Sequence, residues 1–172
     1  MNALQTAFLR LAVPAAQAAQ RKYDVPTSVT VAQAILESSN ALGWGQSQLA
    51  KEANNFFGIK ATDLKDPEHY IELPTHEYIH NHLDLVEAKF ARYEDPAESF
   101  DAHARLLAIA HRYMPAMACC HDPEGFCIRL QQCGYSTSPS YGVTLAKLIN
   151  DYDLIQYDVP PSDPAQSAEV AA

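Results

Sequence analysis

Between His69 and Tyr93 the chain changes its period, and that change limits the folds open to it. On either side, apolar residues recur at helical spacing. Within it, His69-Tyr70-Ile71-Glu72-Leu73, Glu77-Tyr78-Ile79 and Ala88-Lys89-Phe90-Ala91-Arg92-Tyr93 carry β-branched and aromatic residues, with Asn81 between them. Such residues suit a pleated, half-buried surface. The pattern predicts an α+β, predominantly α chain: a helical lobe facing a small antiparallel β-lobe, with a cleft between them that suits an elongated ligand. At 172 residues, one domain over 1–158 with a disordered tail over 159–172 fits better than two domains. That tail reads Val159-Pro160-Pro161-Ser162-Asp163-Pro164 and then mostly small residues, a poor source of core.

Residues 3–22 read as an amphipathic helix with Leu4, Phe8, Leu11 and Ala15 on its inner side. The stretch is alanine-rich, yet its first basic residue, Arg10, falls in the middle, and Gln5, Thr6 and Pro14 interrupt the apolar run. A first helix is therefore expected in preference to a secretory signal. After Pro26, Thr27 or Ser28 is expected to cap a second helix, which ends near Ser38–Asn40. A short helix over 46–53, a turn over 54–60, a long helix from Phe100 to Met114, a cysteine-bearing helix over 124–132 and a last helix over 141–152 complete the reading. No apolar run approaches the roughly 20 residues of a membrane span.

The net charge of −9 argues against nucleic acid as a partner, because displacing counterions from phosphates needs a basic stripe. It argues equally against an anionic membrane surface. Neutral polymers remain open. Cys119, Cys120, Cys127 and Cys133 lie within fifteen residues. One or two bridges, a metal site or buried thiols compete to explain them. The spacing lacks the paired clip of zinc sites, and a local bridge is feasible in an oxidising compartment.

Glu37 ends the run Val29-Thr30-Val31-Ala32-Gln33-Ala34-Ile35-Leu36, where a buried helix emerges. A carboxyl beside apolar surface resists ionisation, which is how an acid keeps its proton until it can donate it. The bland alternative is a solvated glutamate at a helix end. The surrounding segments weigh against that alternative. Ala32-Gln33-Ala34-Ile35-Leu36-Glu37-Ser38, Gly43-Trp44-Gly45-Gln46-Ser47 and Ala53-Asn54-Asn55-Phe56-Phe57-Gly58-Ile59-Lys60 follow one another. Thr75-His76-Glu77-Tyr78, Phe90-Ala91-Arg92-Tyr93, Gly134-Tyr135-Ser136-Thr137-Ser138-Pro139-Ser140-Tyr141 and Leu154-Ile155-Gln156-Tyr157-Asp158 come after them. In this order the chain resembles the bacterial endo-β-N-acetylglucosaminidases of glycoside hydrolase family 73, which include autolysins and the hydrolase domain of the flagellar rod-cap protein. The resemblance spans about Leu9 to Asp158.

The resemblance implies a lysozyme-like fold and hydrolysis of the β-1,4 bond between N-acetylglucosamine and N-acetylmuramic acid. It makes Glu37 the general acid, Glu77 the second carboxylate on the β-lobe and Tyr141 a tyrosine near the sugar's acetamido group. Tyr135 would line the same wall. Two departures stand out. Ser39-Asn40-Ala41-Leu42 intervene before Gly43-Trp44 and should lengthen a loop at the cleft edge. Ala91 intervenes between Phe90 and Arg92, which leaves that strand's register open.

Trp44, Phe56, Tyr78 and Tyr135 offer rings on which sugar faces can stack, while Phe57 and Phe90 fit core packing better. Asn54 and Asn55 suit either an acetamido group or a turn. His80-Asn81-His82 spells the tripeptide of a nuclease family, but the acidic balance opposes that reading. No metal and no cofactor are expected. The expected partners are peptidoglycan glycan strands and, for a toxin injected by a type VI secretion machine, a cognate immunity protein. Such a protein, a monomer, would be made in the cytoplasm and act in the periplasm or cell wall, where at least one cysteine pair should be bridged. Release as an endolysin is the rival route, and an inactive glycan-binding module of the same fold is the rival function.

Overall fold

The computed structural model describes residues 1–62, 65–79 and 82–160; the side chains of residues 76–79 and 83 fall outside that description. The element order is α1 (Ala3–Tyr23), α2 (Thr27–Ser38), α3 (Gln48–Ala53), β1 (Tyr70–Ile79), β2 (His82–Ala91), α4 (Pro96–Ile109), α5 (Met114–Met117), α6 (Pro123–Gln132) and α7 (Tyr141–Asp151). Three short 3₁₀ turns, Pro67–His69, His111–Tyr113 and Leu154–Tyr157, join them. The predicted α+β, lysozyme-like arrangement is present, with the helical lobe carrying the core.

Helix α1 starts at a capping box, in which Asn2 and Gln5 each bond the other's backbone N–H at 2.9 and 2.8 Å. Its buried stripe is Phe8, Leu9, Ala12, Ala15, Ala16 and Ala19. Leu4 and Leu11 instead face outward at 51% and 40% exposure. The inner face is thus rotated by part of a turn from the expected one, because the small alanines form the contact against which α2 and α4 pack.

Helix α2 has no outer face along most of its length: every residue from Thr27 to Ile35 is buried. Thr27 and Ser28 do not cap it, contrary to expectation. They form its first turn behind Pro26, and neither side chain makes a cap bond. The orphan N–H groups go to distant partners. Thr27 N donates to Gln20 Oε1 at 3.1 Å. Ser28 N and Oγ donate to the Asp158 carboxylate at 2.7 and 2.8 Å. A carboxylate at this end of a helix also meets the positive pole of its dipole. Residues 158–159 are consequently tied to the lobe, since Val159 N and O both bond the Gln20 amide. Residues 161–172, most of the expected tail, lie outside the described residues.

The β-lobe is one antiparallel hairpin of two ten-residue strands, paired from Tyr70↔Ala91 to Ile79↔His82. Its register settles the open strand: Phe90 faces Ile71 and is buried. Residues 59–61 run beside β2, with Ala91 N donating to Ile59 O at 2.9 Å and Ala61 N to Lys89 O at 3.0 Å. The root of the hairpin is thereby stitched to the helical lobe.

The long helix expected from Phe100 to Met114 begins earlier and breaks. Asp95 caps it through Glu98 N at 2.9 Å, with Pro96 in its first turn. The break lies at Ala110, whose backbone is extended, and Pro115 falls in the first turn of the next helix, where its missing N–H is no loss. The chain therefore passes through the His111–Tyr113 turn into the four-residue α5. All four cysteines are free thiols, so the expected bridge is absent. Cys127 is buried in α6, where it behaves as a small apolar side chain.

Candidate active site

Gln33 and Glu37 stand four residues apart on α2, so they leave the same face of the helix one turn from each other. Tyr141, the first residue of α7, meets that face from the opposite side. Its hydroxyl donates to Glu37 Oε1 at 2.9 Å and accepts from Gln33 Nε2 at 3.0 Å. Gln33 is fully buried and Tyr141 nearly so. Glu37 as a residue is open to solvent, yet protein crowds its carboxyl end. That desolvation raises its pKa above the ordinary carboxyl range, against the opposing pull of the Tyr141 bond.

Behind this trio runs an aromatic wall. Tyr135 stacks on Tyr141 with centroids 5.4 Å apart and planes 23° from parallel. Tyr113 leans on Tyr135 at 5.9 Å, and Arg112 lies over the Tyr113 ring at 4.5 Å. His103 meets Tyr135 edge-on at 6.0 Å and stacks on Phe57 at 3.9 Å. Burial depresses the His103 pKa to about 3, so its ring is neutral. Burial likewise raises the phenols of Tyr135 and Tyr141, and both keep their protons. Glu37 is thus the acid of this wall whose proton burial holds more tightly than usual while leaving it exchangeable.

The placement of Tyr141 depends on Gly142. A Cβ there would lie 2.7 Å from the Cys127 backbone oxygen, so only glycine lets α7 approach α6 this closely. Gly142 N also donates to Gln131 Oε1 at 2.8 Å.

Glu37, Tyr141 and Tyr135 therefore come together as expected. Trp44 does not join them: at 9% exposure it packs edge-on against Phe8 at 5.9 Å and Tyr152 at 4.5 Å. Phe56 is likewise buried, between Phe8 and Phe100. Both rings belong to the core, where no sugar face can reach them. Asn55 donates to Ile59 O and Ala91 O at 2.9 Å each and accepts from Phe57 N and Ile59 N. A side-chain amide has two N–H groups and two lone pairs, so this one has nothing left for an acetamido group. Asn54 takes the left-handed conformation that ends α3 and donates to Tyr93 O and Glu94 O. The asparagine pair thus fastens the hairpin root to α3.

Glu77 and Tyr78 stand on β1, paired with Asp84 and Leu83, and their side chains lie outside the described residues. So do residues 80 and 81 of the histidine tripeptide. The residues expected to lengthen the loop before Trp44 fold into a tight turn: Asn40 and Gly43 exchange backbone bonds at 3.1 and 3.0 Å, and Asn40 Oδ1 accepts Leu42 N at 2.8 Å. Sequence reasoning missed Gln33, His103 and Gly142. For Gln33 a signal existed, an amide on a helix otherwise apolar and four residues before an acid.

A family profile described as mannosyl-glycoprotein endo-β-N-acetylglucosaminidase matches residues 13–154. The chain is 37% identical over 153 residues to the exo-glucosaminidase LytG of Bacillus subtilis, covering 86% of this chain and 51% of that protein. It is 35% identical over 145 residues to the peptidoglycan hydrolase FlgJ of Salmonella typhimurium, covering 81% and 43%. The chain thus spans about half the length of these curated relatives. In structure it is similar to the catalytic domain of the autolysin Auto from Listeria monocytogenes, with a TM-score of 0.78 at 30% identity, covering 92% of this chain and 89% of that one.

Proposed function

The chain belongs to the glucosaminidase family, and from that premise we propose that it is a peptidoglycan hydrolase that cleaves the β-1,4 bond on the reducing side of N-acetylglucosamine. The observation that carries this reading is the Glu37 carboxyl, held by the Tyr141 hydroxyl, with its pKa raised by the protein around it. In this proposal the protonated Glu37 gives its proton to the glycosidic oxygen as the bond to the anomeric carbon breaks. Positive charge grows on the sugar ring, and water completes hydrolysis. Glu77, on β1, is the proposed second carboxylate that activates this water. Tyr135, stacked on Tyr141, is the proposed wall for the acetamido side of the sugar.

Digestion of purified sacculi, with mass spectrometry of the reduced fragments, tests the bond. The expected product ends in reduced N-acetylglucosamine; fragments ending in reduced muramic acid would overturn the assignment. Internal fragments of several disaccharides indicate endo cleavage, and disaccharides alone indicate exo cleavage. Glu37→Gln is expected to lose about 10²–10⁴-fold in turnover, and Glu77→Gln to fall by more than threefold. A Glu77→Gln enzyme within threefold of the parent would remove Glu77 from the mechanism.

Delivery as an injected toxin with an immunity partner is part of the same proposal, but it loses one support. The four free thiols no longer point to an oxidising space. A neighbouring small gene for an exported inhibitor is the expected sign of that route, and a holin gene would instead mark an endolysin.

A further inference from the structure

The hydroxyl of Tyr141 has one proton to give, and its two partners determine where that proton goes. Gln33 Nε2 can only donate, so the bond at 3.0 Å occupies a lone pair of the hydroxyl oxygen. The phenolic proton must then point at Glu37 Oε1, 2.9 Å away. An oxygen that already accepts this proton is a poor place for the acid's own. We infer that Gln33 is a positioning residue that, through Tyr141, keeps the transferable proton of Glu37 on its other oxygen, Oε2. This inference rests on the glucosaminidase reading for its use in catalysis, though not for its geometry.

The chain of bonds has a reversed alternative. With the Gln33 amide turned over, its Oε1 would accept from Tyr141, and Tyr141 would accept a proton carried on Glu37 Oε1. The acid would then spend its proton inward. In the observed orientation Gln33 Oε1 is buried without a partner. Turning the amide would place both N–H groups of Nε2 where that lone carbonyl oxygen now sits. Buried orphan N–H groups are rarer than under-used carbonyls, so the observed direction is the favoured one. The site is also tightly built around it: Gln33 is wholly buried and Tyr141 is fixed by the α6–α7 contact.

Among the described residues the charged and titratable neighbours are few, and Glu77 on β1 is the further carboxylate of the proposed site. Glu37 is the one charged residue of α2. Tyr141 meets it from α7, and Tyr135 from the preceding loop faces it, with Tyr113 and Arg112 behind Tyr135. Gln33 carries no charge, so replacing it leaves the charge around Glu37 unchanged. Any shift in the titration of Glu37 must then come through the bonds.

The test is a carbon-13 NMR titration of the Glu37 carboxyl in the full chain, assigned by the signal lost in Glu37→Gln. Gln33→Met removes the donor at nearly constant volume. The Tyr141 hydroxyl is then free to accept from the protonated acid, which stabilises that form. The expected result is a midpoint higher by about half a unit or more, the scale of one hydrogen bond. A smaller rise, or a fall, in the folded variant overturns the inference. If Gln33→Met does not fold, Gln33→Asn, with its amide one methylene short of Tyr141, carries the same expectation, and the same outcomes support or overturn it.

In the Tyr141→Phe background Gln33→Met is expected to add nothing further, and an added shift of the same size would mean Gln33 acts by another route. On sacculi, Gln33→Met should lower kcat about tenfold with KM unchanged and move the alkaline limb of the pH profile upward. A merely structural role would lower the active fraction without moving that limb. If the parent protein proves inactive on sacculi, the glucosaminidase reading fails while the NMR midpoint still tests the relay.

Discussion

Glu37 pays for its position in stability, and the sign of that cost can be worked out. Burial raises its pKa in the folded state above the ordinary value near 4.5. Below that value both folded and unfolded chains hold the proton, and the group costs nothing. As pH rises through the folded value the native state must carry a desolvated charge, so stability is lost upward. Glu37→Gln is therefore expected to melt above the parent protein near about pH 7 and to lose that advantage toward about pH 4, as read by calorimetry. An equal or lower melting temperature at neutral pH would contradict the desolvation argument. At this scale the sequence is informative only where local chemistry decides the role. Glu37 can be found because the apolar run before it forecasts its surroundings. Trp44, Phe56 and Asn55 cannot, because a ring or an amide looks the same in a chain whether it faces a sugar or a core. Only the packing of Phe8 and the carbonyl of Ala91, distant in sequence, with the nearer carbonyl of Ile59, separate the two.

Among the elements, α7 is the one whose placement controls the site most directly, since it delivers Tyr141. Gly142→Ala adds a Cβ 2.7 Å from backbone that cannot swing away. Overpacking of this kind costs about 1–3 kcal/mol. Denaturant unfolding should show a loss in that range, and turnover should drop as well because the helix that carries Tyr141 is pushed from α2. A variant with unchanged stability would show that the two helices separate freely. Most helix positions and the β-rich insertion are legible from periodicity. The break of the long fourth helix falls at Ala110, and the apolar spacing continues through Met114 and masks it. The cap of α2 is hidden for a different reason. Thr27 and Ser28 have the right chemistry for it, but the structure places them inside the first turn, and Gln20 of α1 and the far-off Asp158 do the capping.

For the molecule as a whole, the free thiols bear on how it is held together. Cys127 lies in the core with its thiol pushed up to about 12 by burial, whereas Cys119, Cys120 and Cys133 are partly exposed. Alkylation of the native protein is expected to label three thiols quickly and Cys127 only on unfolding, and mass spectrometry without reduction should count four after denaturation. Two labelled thiols in the denatured, unreduced protein would establish a bridge. The fold is accordingly held by packing and hydrogen bonds, with no disulfide among its four cysteines. The clustering of four cysteines points the other way because spacing along a chain says nothing about whether a side chain points into a core.

The Ser28–Asp158 contact joins residues 130 positions apart, and its consequence belongs to synthesis. On the ribosome the chain emerges from its first residue onward, so the helix bearing Glu37 has left the exit tunnel long before the carboxylate that completes its first turn. Until that late segment arrives, the central helix has neither its cap nor α7 to cover it, and Glu37 has no Tyr141 beside it. A nascent chain stalled before the last helix therefore lacks the Tyr141 contact that holds the Glu37 carboxyl. Glu37 takes its place in the site only after Tyr141 and Asp158 have been made.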